Sequence, residues 1–249
     1  MSEIGVFEHP LTERYRLFLR VEQIFEQIDH HLQGAHFWDT HAALQAVLEL
    51  LQTVSRGDSK RELIKELDRQ RSLARQPGAD GPEPFDLRLS QLHARTGTLG
   101  GELADNELFQ QLKQRTTAGG RPGTVGLASY QEWLQRPDEQ RHADVREWIE
   151  PLEPARGAID LCLSHLRRSA QWQPRDTGRG FYEQSLDPND PMQLLRVRFD
   201  ANDDRRLFPE LSAGRQRFTI RFFTQESPAG RPTQVDGPVE FELASCGFR

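Results

Sequence analysis

Cysteine is scarce in this chain: 249 residues hold two, Cys162 and Cys246. Two thiols in separate elements supply no disulfide framework and no paired-cysteine metal motif, so a reducing compartment is expected. Nowhere do 18 apolar residues stand together, so no membrane span is expected either. The opening MSEIGVFEHP has no basic stretch followed by an apolar one, which argues against a signal peptide and makes the cytoplasm the simplest location. Lysine occurs only at 60, 65 and 113, leaving twenty-nine of the 32 basic residues as arginine. The formal net charge of −6 gives the whole molecule no bulk attraction to nucleic acid or anionic lipid.

Groups that could do chemistry are equally sparse. Ser164 and His165 are neighbours on a predicted helix and so point in different directions. His30 and His31 lack the i, i+4 spacing and the third ligand that a zinc site wants. Gly119, Gly120 and Gly123 follow a predicted helix instead of a strand, and no GK[ST] accompanies them. The expectation is a protein with no catalytic residue, no metal and no cofactor.

What remains is a strong change of periodicity. Leu11, Tyr15, Phe18, Val21, Phe25, Ile28 and Leu32 recur at three- and four-residue steps, one apolar stripe of a helix opening at Pro10. Further helices are predicted at about 38–55, 59–75, 85–95, 105–115, 127–135, 138–148 and 151–170. Ser59 and Glu62 are expected to form a capping box at the third of these, and 116–123 reads as a turn-rich connection. After Gln173 the period falls from 3.6 to 2. Leu195, Val197 and Phe199 alternate with Arg196 and Arg198. Phe218, Ile220 and Phe222 alternate with Arg217, Thr219 and Arg221, and Val239, Phe241 and Leu243 with Glu240 and Glu242. With 180–185 as a fourth candidate, this predicts one small antiparallel sheet behind a linker at 173–180. The fold class is α+β: a helical domain over 1–172, then a β-rich domain over 173–249 that packs on the helices or on a dimer partner.

Two arginine arrangements are unusual. Arg16 and Arg20 stand four apart on one helix, where like charges repel unless Glu13, Glu22, a neighbouring helix or an external anion shares them. Arg196, Arg198, Arg217 and Arg221 should all project from wet strand faces, against which Glu240 and Glu242 leave a positive surplus. A local positive face on an acidic protein suits a specific acidic partner. It also keeps open a nucleic-acid surface built on the arginine-faced sheet, with Phe223 as the one obvious stacking aromatic. A third reading is an enzyme whose site draws on His9, Glu22 or Asp68.

Several stretches resemble the ZapD family of bacterial cell-division proteins. They are FEHPL at 7–11 followed by Arg16, Leu19-Arg20 and Glu22, then Arg56-Gly57 followed by RELIKELDRQ at 61–70. GFY at 180–182, LFPEL at 207–211, RFTIRF at 217–222 and FELA at 241–244 continue the likeness in the same order. The resemblance implies a helical domain plus a β-rich domain in a homodimer, without catalysis or cofactor. It implies binding to the C-terminal tail of FtsZ, the tubulin-like division protein, and cross-linking of FtsZ filaments at midcell. That tail is expected to be a short flexible peptide mixing acidic and apolar residues. The same resemblance points to Arg16, Arg20, Arg56, Arg61, Arg115, Arg217 and Arg221 as partner-binding residues.

Overall fold

The structure is a computed structural model that describes residues 5–55, 58–76, 81–95, 99–101, 103, 106–117, 127–178, 180–187, 192–200, 206–214 and 216–247, with 113–117 described as backbone only. The elements in chain order are β1 (Val6–Pro10), α1 (Glu13–His31), α2 (Phe37–Val54), α3 (Ser59–Ala74), α4 (Glu83–Ala94) and α5 (Glu107–Thr117). Then come α6 (Ala128–Leu134), α7 (Asp138–Ile149), α8 (Glu153–Arg168), β2 (Trp172–Asp176), β3 (Phe181–Ser185) and β4 (Met192–Arg198). The last are β5 (Phe208–Ala213), β6 (Arg217–Thr224), β7 (Thr233–Gln234) and β8 (Glu240–Gly247). Helices followed by antiparallel sheets make this an α+β fold. The connection at 118–123 lies outside the described residues.

The chain divides into two compact units, Leu17–Leu163, and Met1–Arg16 with Ser164–Arg249. In the first unit the apolar stripe of α1 is buried as its spacing predicts: Phe18, Val21, Phe25 and Ile28 are at most 2% exposed. Leu44, Val47 and Leu50 of α2, Leu63 and Leu67 of α3, and Val145 of α7 are buried with them. Part of the stretch at 61–70 serves this core directly. Glu66 is fully buried, bonded to Arg69 and to Gln70 Nε2 at 2.9 Å, and Gln70 Nε2 also reaches the carbonyl of Cys162 at 3.3 Å. A buried carboxylate needs such partners to offset its desolvation.

Two helix starts differ from expectation. The N-cap of α3 is Asp58, whose side chain makes no cap hydrogen bond, and Ser59 already lies inside the helix. A capping box does occur, at α2. Nδ1 of His36 accepts from the Trp38 amide at 3.2 Å, and the Asp39 carboxylate accepts from the His36 amide at 3.2 Å. Asp39 sits so close to Gly34 that a Cβ there would meet its carboxylate carbon at 2.4 Å, which is why the loop needs glycine. Arg141, 5% exposed, locks the same corner. It donates to Thr40 Oγ1 at 3.1 Å and to the carbonyls of Ala35 at 3.0 Å, Leu134 at 3.2 Å and Arg136.

The second unit holds two antiparallel sheets in place of the single sheet predicted. One has the order β1-β4-β8-β2; the other has the order β3-β6-β5, with β7 also pairing β6. Leu195, Val197, Phe241 and Leu243 from the first sheet and Phe218, Ile220 and Phe222 from the second share one core. Phe222 meets Phe199 edge-on at 5.2 Å and Phe241 at 5.4 Å. The strands therefore face each other as a sandwich, with alternate residues outward.

Pro10 closes β1 instead of opening α1, and the predicted linker at 173–180 supplies β2. β1 joins this unit because it pairs with β4, placing Glu8 opposite Arg196. Glu8 is then clamped by Arg167 through two bonds of 2.9 and 2.6 Å and lies 2.8 Å from Arg196 Nε. Trp172 of β2 lies under both Arg196 and Arg198, at 5.4 and 4.3 Å from its ring centroid, a cation–π arrangement.

Candidate functional site

Arg16 and Arg20 lie one turn apart on α1, and each already has a carboxylate. Arg16 bonds Glu13 on its own helix, and Arg20 donates to Glu49 of α2 at 3.2 Å. The expected surplus at this pair is thus met within the fold, in part by a glutamate 29 residues further on. Arg61 pairs with Asp58 at 2.7 Å one turn back on α3. All three guanidiniums are more than half exposed. Ion pairs of this kind contribute about 0–1 kcal/mol, so exchanging one carboxylate for another costs little. Arg56 and the side chain of Arg115 lie outside the described residues.

The arginines of the strands do not form one surface. Arg196 and Arg198 alternate with core residues of β4, so they face outward from the first sheet. Arg217 and Arg221 face outward from the second sheet, on the other side of the sandwich. Arg196 and Arg198 are also engaged, the first beside Glu8 and the second bonded to Glu242 at 2.6 Å, which holds that carboxylate below its usual pKa. The single arginine-faced sheet expected for nucleic acid is therefore split in two.

The β6 arginines are the more available. Arg217 is 68% exposed and reaches Glu183 of β3 only at 3.4 Å. The Arg221 side chain is exposed and makes no hydrogen bond or ion pair among the described residues. Register places Arg221 directly between Phe181 of β3 and Glu210 of β5. On the same outer face Phe208 and Phe223 stack with ring centroids 6.0 Å apart. Periodicity exposed Phe223 as outward-facing. It could not show Phe181 and Phe208 beside it, because that requires knowing which strands flank β6.

The residues considered for catalysis stay apart in role. His9 lies in β1, its pKa lowered by burial and then by the charge of Arg16. Asp68 is taken up in a surface pair with Arg71 at 3.1 Å. Burial pushes the Cys246 thiol up to about 11, so it is no thiolate nucleophile near neutral pH. His41 and Tyr130 share a 2.5 Å hydrogen bond. Burial lowers the histidine and raises the tyrosine, which favours a neutral ring accepting from a phenol O–H. Among the described residues no three His, Cys, Asp or Glu side chains stand together as a metal site, and no helix is long and apolar enough to cross a membrane.

Fold and surface together define an α+β protein that carries exposed guanidiniums on helices and on one outer sheet face. The ZapD family model, described as a cell division protein, matches residues 19–221. Relatives named "Cell division protein ZapD" align over nearly the full length. That of Chromobacterium violaceum is 36% identical over 97% of this chain and 99% of its own. That of Methylococcus capsulatus is 35% identical over 97% of both chains. That of Enterobacter sp. is 33% identical over 99% of this chain and 100% of its own. The chain belongs to the ZapD family of cell division proteins.

Proposed function

We propose that this chain binds the C-terminal tail of FtsZ and, as a homodimer recruited to the midcell ring, cross-links FtsZ filaments into bundles. Membership in a cell-division family supports the setting. The observation that carries the reading is Arg221, an exposed guanidinium without a carboxylate partner among the described residues, on a face that also presents apolar rings. Arg16, Arg20, Arg61 and Arg217 add guanidiniums whose exposed glutamate or aspartate partners a peptide carboxylate can replace. Arg56 and Arg115 join them on resemblance alone. Such a peptide loses conformational freedom on docking, so each contact is weak and charge-assisted.

Bundling needs at least two binding sites, and the sequence contains no repeat to supply two. A twofold dimer presents identical sites on both protomers and converts weak single contacts into avidity along a filament. Light scattering of the pure protein at micromolar concentration is therefore expected to give twice the 28.7 kDa chain mass. A monomer mass throughout that range would remove the geometry on which cross-linking depends.

A further inference from the structure

Resting on that tail-binding reading, we infer that the outer face of the β3-β6-β5 sheet supplies an apolar anchor as well as a cation. Phe181 is the specificity-determining residue, and the Phe208–Phe223 pair is the shelf beside it. The strand register defines a small grid. One row is Phe208 with Phe223, and the next is Glu210, Arg221 and Phe181. Then come Ser212, Thr219 and Glu183, and finally Arg217 with Ser185. Adjacent strands lie about 4.8 Å apart, and alternate residues of one strand about 7 Å apart. Phe181 is 49% exposed, far more than a phenylalanine with an internal role requires. Its neighbour across the strand is the unpaired Arg221.

The charges on this face decide what chemistry fits. Glu183 and Glu210 stand among the two arginines, so a continuous chain of phosphates would meet a carboxylate beside each guanidinium. A peptide with one carboxylate among apolar residues meets no such repulsion. An extended peptide repeats its side chains on one side every two residues, the same step that separates Phe223 from Arg221. A carboxylate over Arg221 therefore puts an apolar side chain two residues away over the Phe208–Phe223 shelf. Phe181 lies in the same row as Arg221, one strand spacing to the side, so an apolar group flanking that carboxylate on the β3 side packs against it. Aromatic rings, phenylalanine among them, and arginine are the residue types enriched in the cores of protein interfaces.

The test uses full-length protein and a fluorescently labelled synthetic peptide of the FtsZ tail, followed by anisotropy across a salt series. Phe181→Ser is expected to weaken binding roughly tenfold at every salt concentration. Phe181→Tyr, which keeps the ring, should bind as wild type. The loss in Arg221→Ala should shrink as salt rises, because screening removes what the arginine contributes. Light scattering and thermal melts of each variant establish that mass and fold are unchanged. If Phe181→Ser binds as wild type while Arg221→Ala does not, the apolar anchor is overturned and the tail-binding reading stands. If wild-type protein ignores the peptide, or prefers a single-stranded oligonucleotide, both are overturned. A lower oligomeric mass for Phe181→Ser would make this face an interface between copies and would also overturn the inference.

Discussion

Arg221→Ala is expected to cut co-sedimentation with FtsZ filaments by about tenfold or more, with an unchanged melting curve. A charged side chain that becomes buried by its partner commonly costs about 2 kcal/mol or more when truncated. In the free protein, the Arg221 side chain is exposed and bonded to nothing among the described residues, so its truncation takes little from the fold. Arg20→Ala should act in the same direction but less strongly. The Arg20–Glu49 pair must open before a tail carboxylate can enter, and the variant leaves Glu49 unpaired on the surface. Both losses should diminish as salt is raised, since the Debye length falls from about 10 Å at 0.1 M to about 3 Å at 1 M. Wild-type bundling by both variants, with native melts, would reduce these arginines to solvated surface.

The largest effect on stability is expected from Arg141→Leu. That substitution removes donors to Thr40 and to three backbone carbonyls at the corner joining α1, α2, α6 and α7. Leaving several buried acceptors without a donor should cost about 3 kcal/mol or more, lowering the melting temperature by roughly 6–12 °C. Arg141→Lys should recover part of this, because an ammonium can reach some of the same oxygens but not all of them. Circular dichroism melts of the three proteins measure the difference. A shift below about 2 °C for Arg141→Leu would show that water replaces the guanidinium at this corner.

The central strands β4, β6 and β8 were legible in the sequence because core residues such as Val197, Ile220 and Phe241 alternate with charged or polar ones, although Leu194, Ala244 and Cys246 bury part of the opposite face as well. Of the edge strands, β3 was legible at 180–185, while β1, β2 and β5 were not. Each carries a proline (Pro10, Pro174 and Pro209), and an edge strand tolerates the missing N–H where an inner strand does not. Proline therefore read as a helix start at residue 10 and as a linker at 174, where the chain in fact ends or crosses a strand. The helices were legible from their apolar stripes. Their start at Ser59 was misread because Ser-x-x-Glu also fits a helix whose cap lies one residue earlier.

The candidate site divides in the same way. Which arginines lie off the core followed from local periodicity, and Arg217 and Arg221 do face outward. Some carboxylate partners are local, Glu13 beside Arg16 and Asp58 beside Arg61, but others come from far along the chain. Glu49 meets Arg20 across 29 positions, and Glu8 meets Arg167 across 159. No local spacing encodes such contacts. The aromatic company of Arg221 was hidden for the same reason, since Phe181 and Phe208 sit on strands that only the sheet order places beside it.

The most direct test of the account is co-sedimentation of the wild-type chain with polymerised FtsZ, run in parallel with FtsZ lacking its C-terminal tail. The chain is expected to pellet with intact filaments, increasing the bundled fraction at low-speed centrifugation, and to stay in the supernatant with tailless filaments. Equal pelleting with both, or with neither, would contradict it.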